Sequence, residues 1–458
     1  MLAADLQRDS IRLDQVIQNE QDRFRDRMHA SAAAAKNASR VLAGGVTSSW
    51  QFTDPHPIWI DHGFGSQIID VDGNRYVDLH GGYGAMFAGH AHPAIVEAIR
   101  TQIGRGSHFA QPVEDAVVVA AELSDRYGLP LWRYGNSGTE ATMDAVHMMR
   151  AFTGRDLIVK FEGAYHGHHD SVQVSTSNTD EEQLGPAHQP RGVAGTQGIP
   201  AAMVELTVVA PFNDLAAVEG IFSAHRGQIA GIIVEPVLMN CGVVPPVDGF
   251  LAGLRELTRR HGVLLAFDEV KTGLTLGRGG AVQKFGVMPD IVCLAKALGG
   301  GLPVSAVGGS AEVMEMIADG TYDQVGTFNG NPLGMAAAKA MLTEVMVDST
   351  YAHLNEIERM MGDGARTIVA EYELPAHVVD QGAKGSITYR SEPVRNYRDF
   401  LDVDGRYAYA AWLTQVNRGV LLPPWGKGEQ WLISVQHTSD DIEKYLETLE
   451  VFASLLRS

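Results

Sequence analysis

Ile291-Val292-Cys293-Leu294-Ala295-Lys296-Ala297-Leu298-Gly299-Gly300-Gly301 sets one lysine between an apolar run and a glycine-rich loop. Upstream by 28 residues, Val263-Leu264-Leu265-Ala266-Phe267-Asp268-Glu269 ends an equally apolar run in two acids. Short, wholly apolar runs bounded by turn residues read as strands buried on both faces, so each delivers a charged group to the loop beyond its end. Working outward, similar runs fall at 131–134, 157–161 and 231–235, and they alternate with helical patterns from about residue 90 onward. This alternation predicts an α/β fold with a large, mostly parallel sheet covered by helices on both faces. Ligands of such sheets bind beyond the carboxyl ends of the strands, where Asp268 and Lys296 lie.

The chain has 458 residues, 45% of them hydrophobic, enough for one large core and a smaller one. Three segments are expected: an N-terminal arm with part of a small domain (1–88), the large sheet domain (89–335) and the C-terminal part of the small domain (336–458). In residues 1–40, Leu13, Val16, Ile17 and Phe24 are spaced for one helical face, an arm that packs on the rest of the protein or on a partner subunit. Asp72-Gly73, between apolar runs at 66–71 and 75–79, predicts a hairpin. Residues 168–205 are polar and aperiodic and read as a mobile loop over a site, and 334–345 read as a helix. The formal charge of −19 argues against nucleic acid or an anionic membrane as partner, since both demand a basic face. Cys241 and Cys293, the only two cysteines, sit in apolar contexts that suit a reducing compartment. With no apolar stretch approaching ~18 residues and no signal-peptide pattern, the cytoplasm is the expected location.

A lysine and a carboxylate at neighbouring strand ends suit pyridoxal phosphate. That cofactor needs an amine to hold its aldehyde as a Schiff base, and a carboxylate to keep its ring nitrogen protonated. Taken singly, Lys296 also reads as a lysine snorkelling from a strand end, and Asp268 as the cap of a turn. Asn136-Ser137-Gly138-Thr139 follows a strand and opens a helix, so it offers amides and hydroxyls to a phosphate, or serves as an ordinary N-cap. Tyr165 is placed to stack on a planar ring, with His166 beside it. Glu235 ends another apolar strand and either holds a hydrogen-bond network behind the cofactor or caps a loop. His166-Gly167-His168-His169-Asp170 offers metal-ligand types, but near-adjacent residues in an irregular loop rarely converge on one ion, and no metal is expected. The GxxxxGK[ST], strand-linked GxGxxG and HExxH patterns are missing.

Together the segments Gly89-His90-Ala91-His92-Pro93, Asn136 to Ala141, Lys160 to His168, Glu235-Pro236-Val237, Asp268 to Gly273, Lys296 and Gly326 to Pro332 resemble the class III, fold type I aminotransferases. By motif the chain is most similar to the glutamate-1-semialdehyde aminomutases, over about residues 40–450. The resemblance implies pyridoxal phosphate as cofactor, with the pyridoxamine form in the cycle. It implies that Lys296 carries the Schiff base, that Asp268 pairs with the ring nitrogen, and that Val270 and Tyr165 lie on opposite ring faces. Ser137, Gly138 and Thr139 would hold the phosphate. Thr327 would reach the phosphate of a neighbouring subunit, which implies a homodimer with shared active sites.

Two departures bear on the substrate. The aminomutase segment after Gly-Gly-Val carries an arginine that grips the substrate carboxylate, whereas Gly44-Gly45-Val46-Thr47-Ser48-Ser49-Trp50-Gln51-Phe52 has Gln51 there. Losing that charged pair weakens carboxylate binding by roughly 1.5–3 kcal/mol unless another cation replaces it. The family's Gly-Phe-Arg is Gly273-Leu274-Thr275. Trp50, Phe52, Tyr83 and Phe87 fall in segments that line the pocket in relatives, or else are core. The expectation is aminotransfer from an aryl or other apolar β-amino acid, aromatic amino acid or amine to an oxo acid. The aminomutase reaction is the alternative, then a racemase or epimerase. The candidates for the acceptor's carboxylate are Arg40, Arg390, Arg395, Arg398 and Lys427, the last in Leu422-Pro423-Pro424-Trp425-Gly426-Lys427. A catalytically silent binding module is disfavoured by the joint presence of Lys296, Asp268 and the phosphate turn.

Overall fold

A computed structural model of the chain describes residues 2–176, 179, 181–424 and 427–457. Its strands are β1 (Ile60–Phe64), β2 (Gln67–Asp70), β3 (Arg75–Asp78), β4 (Leu131–Gly135), β5 (Leu157–Phe161), β6 (Thr207–Ala210) and β7 (Ile229–Val234). They continue as β8 (Leu264–Asp268), β9 (Ile291–Leu294), β10 (Ser305–Gly309), β11 (His377–Gln381), β12 (Lys384–Thr388), β13 (Val420–Leu421) and β14 (Gly428–Leu432). Seven of them form the large sheet in the order β4-β10-β9-β8-β7-β5-β6. The run β9-β8-β7-β5-β6 is parallel throughout, and β10 runs antiparallel to both β9 and β4. All described residues of β7, β8 and β9 are buried, the reason these segments are apolar without alternation.

Helices cover both faces of this sheet. The helix Gly138–Thr153 packs Ala145, Val146, Met148 and Met149 beneath it, and the helix Phe250–His261 packs Leu254 and Leu257 from the other side. The first of these starts in a capping box: the Ser137 hydroxyl accepts from the Glu140 amide, and Glu140 Oε2 accepts from the Ser137 amide at 2.8 Å.

Two smaller sheets join distant parts of the chain. The hairpin β2–β3 turns through Asp72-Gly73, and the Asp70 carboxylate accepts from the amides of Asp72 and Asn74. β3 then pairs in parallel with β13, so the N- and C-terminal segments share one sheet. β11, β12 and β14 form the third sheet. The N-terminal arm is two helices, Leu2–Arg27 and His29–Ala38. It lies on this same chain: Leu13, Val16 and Phe24 are buried, Arg12 Nη1 donates to Leu456 O at 2.8 Å, and Glu20 pairs with Arg418. The loop-like stretch 168–205 is more built than expected. Val172, Val174 and Ser175 are buried, Val174 bridges to Ala194, and a short helix spans Ala201–Glu205. The helix foreseen at 334–345 runs from Pro332 to Ala340 and ends in a wider π turn, Met341–Val345. Among the described residues no helix is long and apolar enough to cross a membrane.

Candidate active site

Parallel pairing brings the ends of β7, β8 and β9 to one level, and the residues there meet. Asp268 closes β8, buried, with its Oδ2 at 2.7 Å from His166 Nδ1 and its Oδ1 accepting from the Val270 amide at 3.0 Å. Lys296 lies two residues past β9 with φ at 47°, a left-handed conformation sparsely populated by residues other than glycine. Its ammonium pKa is lowered, first by burial, while Asp268 and Glu235 act the other way. Glu235, just beyond β7, accepts from the Tyr165 amide at 2.8 Å and from the Met239 amide at 3.0 Å. Its own pKa is raised, chiefly by burial.

These groups line one cavity with Gly138, Thr139, Tyr165, His166, Val270 and Lys271. The amides of Gly138 and Thr139 stand in the first helical turn, ahead of the first internal acceptor, with the helix dipole behind them, the environment a phosphate requires. A Cβ on Gly138 would come within 2.8 Å of Val270 Cγ1, so only glycine leaves that wall open. His166, one of the lining residues, has its Nε2 buried without a hydrogen-bond partner. Amine, carboxylate, anion-binding turn and flat-walled gap are the donor set that pyridoxal phosphate uses, and the residues fit it. His166 is committed to Asp268, and among the described residues no group of three or more His, Cys, Asp or Glu is placed to hold a metal ion.

On the open side, Trp50 meets Tyr165 edge-on at 5.4 Å and Tyr83 at 5.5 Å, and the Tyr83 hydroxyl donates to Trp50 O at 2.7 Å. Gln51 is exposed and lines the adjoining groove, with its Oε1 accepting from the Thr47 amide and hydroxyl. Phe87 is fully buried in the main core and lines none of these cavities, so the pocket placement expected for it gives way to packing. Thr327 is exposed in a separate groove with Arg133, Tyr134 and Asn329, away from the Lys296 of its own chain.

Of the five cations expected to meet a carboxylate, three are engaged elsewhere. Arg398 forks onto Glu162 at 2.7 and 2.8 Å, Arg390 Nη1 donates to Glu392 O and Pro393 O, and Lys427 Nζ donates to Leu401 O. Arg40 and Arg395 are exposed and line none of these cavities. Trp425 and Gly426 lie outside the described residues. Two lysines that the sequence did not single out as binding groups face the site instead. Lys271 donates to Met239 O and Asn240 Oδ1, and Lys384 stands at the start of β12.

Fold and cavity together define a pyridoxal phosphate enzyme of fold type I, and residues 50–451 match the family Aminotransferase class-III. The chain belongs to that family and is a pyridoxal phosphate-dependent enzyme of the transaminase type. Glutamate-1-semialdehyde 2,1-aminomutase 1 of Staphylococcus carnosus is 38% identical over 425 residues, 92% of this chain and 97% of that protein. The solved structure of a glutamate-1-semialdehyde aminomutase from Pseudomonas aeruginosa PAO1 in complex with PMP aligns with a TM-score of 0.90 and 33% identity, over 97% of this chain and 99% of that one. An omega-transaminase from Sphaerobacter thermophilus aligns with a TM-score of 0.88 and 32% identity, over 94% and 98%. Family, fold and cofactor agree with the resemblance. The relatives' names match the aminomutase alternative better than the aryl or β-amino acid transaminase expected from Gln51 and the aromatic segments.

Proposed function

We propose that the chain shifts an amino group between adjacent carbons of a small substrate bearing one carboxylate, as a glutamate-1-semialdehyde 2,1-aminomutase. The observation that carries this reading is likeness along nearly the whole length to a protein of that name, 38% identical over 92% of this chain. Pyridoxal phosphate, when bound, supplies an electron sink and, in its pyridoxamine form, the amino group itself.

In this reading Lys296 is the amine that holds the cofactor. Once free, it acts as base and acid in turn, delivering a proton to the substrate carbon that gains nitrogen and later removing one from the carbon that loses it. Its lowered pKa keeps a share of it unprotonated for its work as a base. Asp268, braced by His166 at 2.7 Å, keeps a proton on the ring nitrogen. Ser137, Gly138 and Thr139 bind the phosphate. Val270 and Tyr165 flank the ring, and Glu235 fixes the Tyr165 backbone. Thr327 acts across a dimer, completing the partner's phosphate site.

A second reading is aminotransfer from an aryl or other apolar donor to an oxo acid. It is favoured by Trp50, Tyr83 and Tyr165 at the cavity mouth and by neutral Gln51. One assay separates the two. Holoenzyme is given glutamate-1-semialdehyde alone, or an aryl β-amino acid, aromatic amino acid or aryl amine with an oxo-acid acceptor. Formation of the isomer aminated on carbon 1, with no acceptor consumed, is the expected result. Turnover only with donor and acceptor together replaces the first reading by the second.

A further inference from the structure

We propose that Lys384 is the cation that receives the substrate's carboxylate. This assignment rests on the reading above, that the substrate carries both an amino or oxo group and a carboxylate. Lys384 opens β12 and is only 6% exposed. A Cβ built on Gly84 would stand 2.8 Å from Lys384 Nζ and 3.5 Å from Lys296 Cδ, so the two side chains close on one point. Gly84, at φ 109°, is the residue that leaves that point open.

Lys384 lines a cavity with Trp50, Tyr83, Asn240 and Lys271. Asn240 and Lys271 also line the cavity that holds Lys296 and Asp268, which makes the two compartments neighbours across shared side chains. A substrate whose reacting carbon lies at Lys296 can therefore extend its other end towards Lys384. Lys271 spends its ammonium on Met239 O at 2.9 Å and Asn240 Oδ1 at 2.7 Å. Among the described residues no oxygen accepts from Lys384 Nζ, and its pKa is held well below the usual lysine value, first by burial and then by Lys271 and Lys296, so that it holds a proton readily only beside an anion. A cation kept from water among like charges is costly unless an anion joins it.

The usual partner for a carboxylate is meanwhile missing. Gln51 is neutral and its carbonyl is taken by Thr47, and Arg398, Arg390 and Lys427 are bound to other groups. The nitrogen that would carry the charge once the anion is bound stands on β12, close to the Lys296 side chain, instead of on the loop at residue 51.

The test compares a matched pair of probes on holoenzyme: 4-aminopentanoate and its primary amide, with Kd read from the change in visible absorbance of the bound cofactor. Wild type is expected to bind the acid at least about tenfold more tightly than the amide, the scale of one hydrogen bond to a charged group. In K384M and K384Q the acid weakens and the ratio falls towards 1, while the amide's Kd and the cofactor's absorbance are retained. An unchanged ratio in either folded variant overturns the proposal, as does a wild type without preference. Failure of both variants to form holoenzyme overturns it too, in favour of a purely structural lysine. Because this comparison needs no turnover, an enzyme that ignores glutamate-1-semialdehyde but loses its acid preference on K384M refutes the proposed reaction and leaves the role of Lys384 standing.

Discussion

Lys271 shows what the cavity asks of a single side chain. Its pKa is pushed down to about 8, first by burial and then by Lys296. An unfolded lysine titrates near ~10.4, so between these values the unfolded chain binds more protons than the folded one. Stability owed to this group is therefore reduced below the folded pKa and recovers as pH rises through the window. In urea unfolding of the apoprotein, the stability difference between wild type and K271M should move in favour of wild type by roughly 1–2 kcal/mol from pH 8 to pH 9.5. A difference that stays flat or moves the other way would show that Lys271 is not held in this state. Residues of this cavity were legible in the sequence only where they sit next to a strand end. Lys296, Asp268, Glu235 and the turn at Ser137 qualify, since an apolar run flags each of them. Lys384 does not, because its neighbours Lys296 and Gly84 come close only through the pairing of β12 with β14 and the packing of that sheet on the cavity.

At the scale of elements, the helix Gly138–Thr153 links stability to ligand binding through its first turn. The hydroxyl of Ser137 is committed to the Glu140 amide, and removing an N-cap hydroxyl costs about 1 kcal/mol. S137A apoprotein should thus unfold at a free energy about 1 kcal/mol lower in urea, and equilibrium dialysis should show cofactor affinity reduced about tenfold. A loss of stability without loss of affinity would make Ser137 a cap alone. The central parallel strands were readable because each is a largely apolar run, near 157–161, 231–235, 263–267 and 291–294, and the edge strand β4 was also placed, at 131–134, whereas the short parallel edge strand β6 was not foreseen. β10 was not, since Ser305-Ala306-Val307-Gly308-Gly309 is small and glycine-rich, and its place comes from antiparallel pairing with both β4 and β9. β11 and β12 escaped notice for a related reason. Their burial depends on the helix Asp348–Glu371 and the strand β14, contacts that leave no local period.

For the whole molecule, the position of Thr327 sets the experiment. It lies in a groove separate from the Lys296 of its own chain, so a site completed by a partner needs Lys296 from one subunit and Thr327 from the other. K296A and T327A chains, each weak or inactive alone, should form a mixed dimer in which one of the two sites is intact. Refolding an equimolar mixture should therefore recover activity, and a mixture no better than its components would confine each site to one chain. The sheet that β3 shares with β13 has a different kind of consequence. The amides of Val77 and Leu79 find their acceptors in Gly419 O and Leu421 O, each at 2.9 Å. A ribosome makes the first pair long before the second, so the growing polypeptide carries an unsatisfied strand edge through most of its synthesis. Such an edge invites pairing with other chains, which makes this hairpin the place where a chaperone has most to shield during translation.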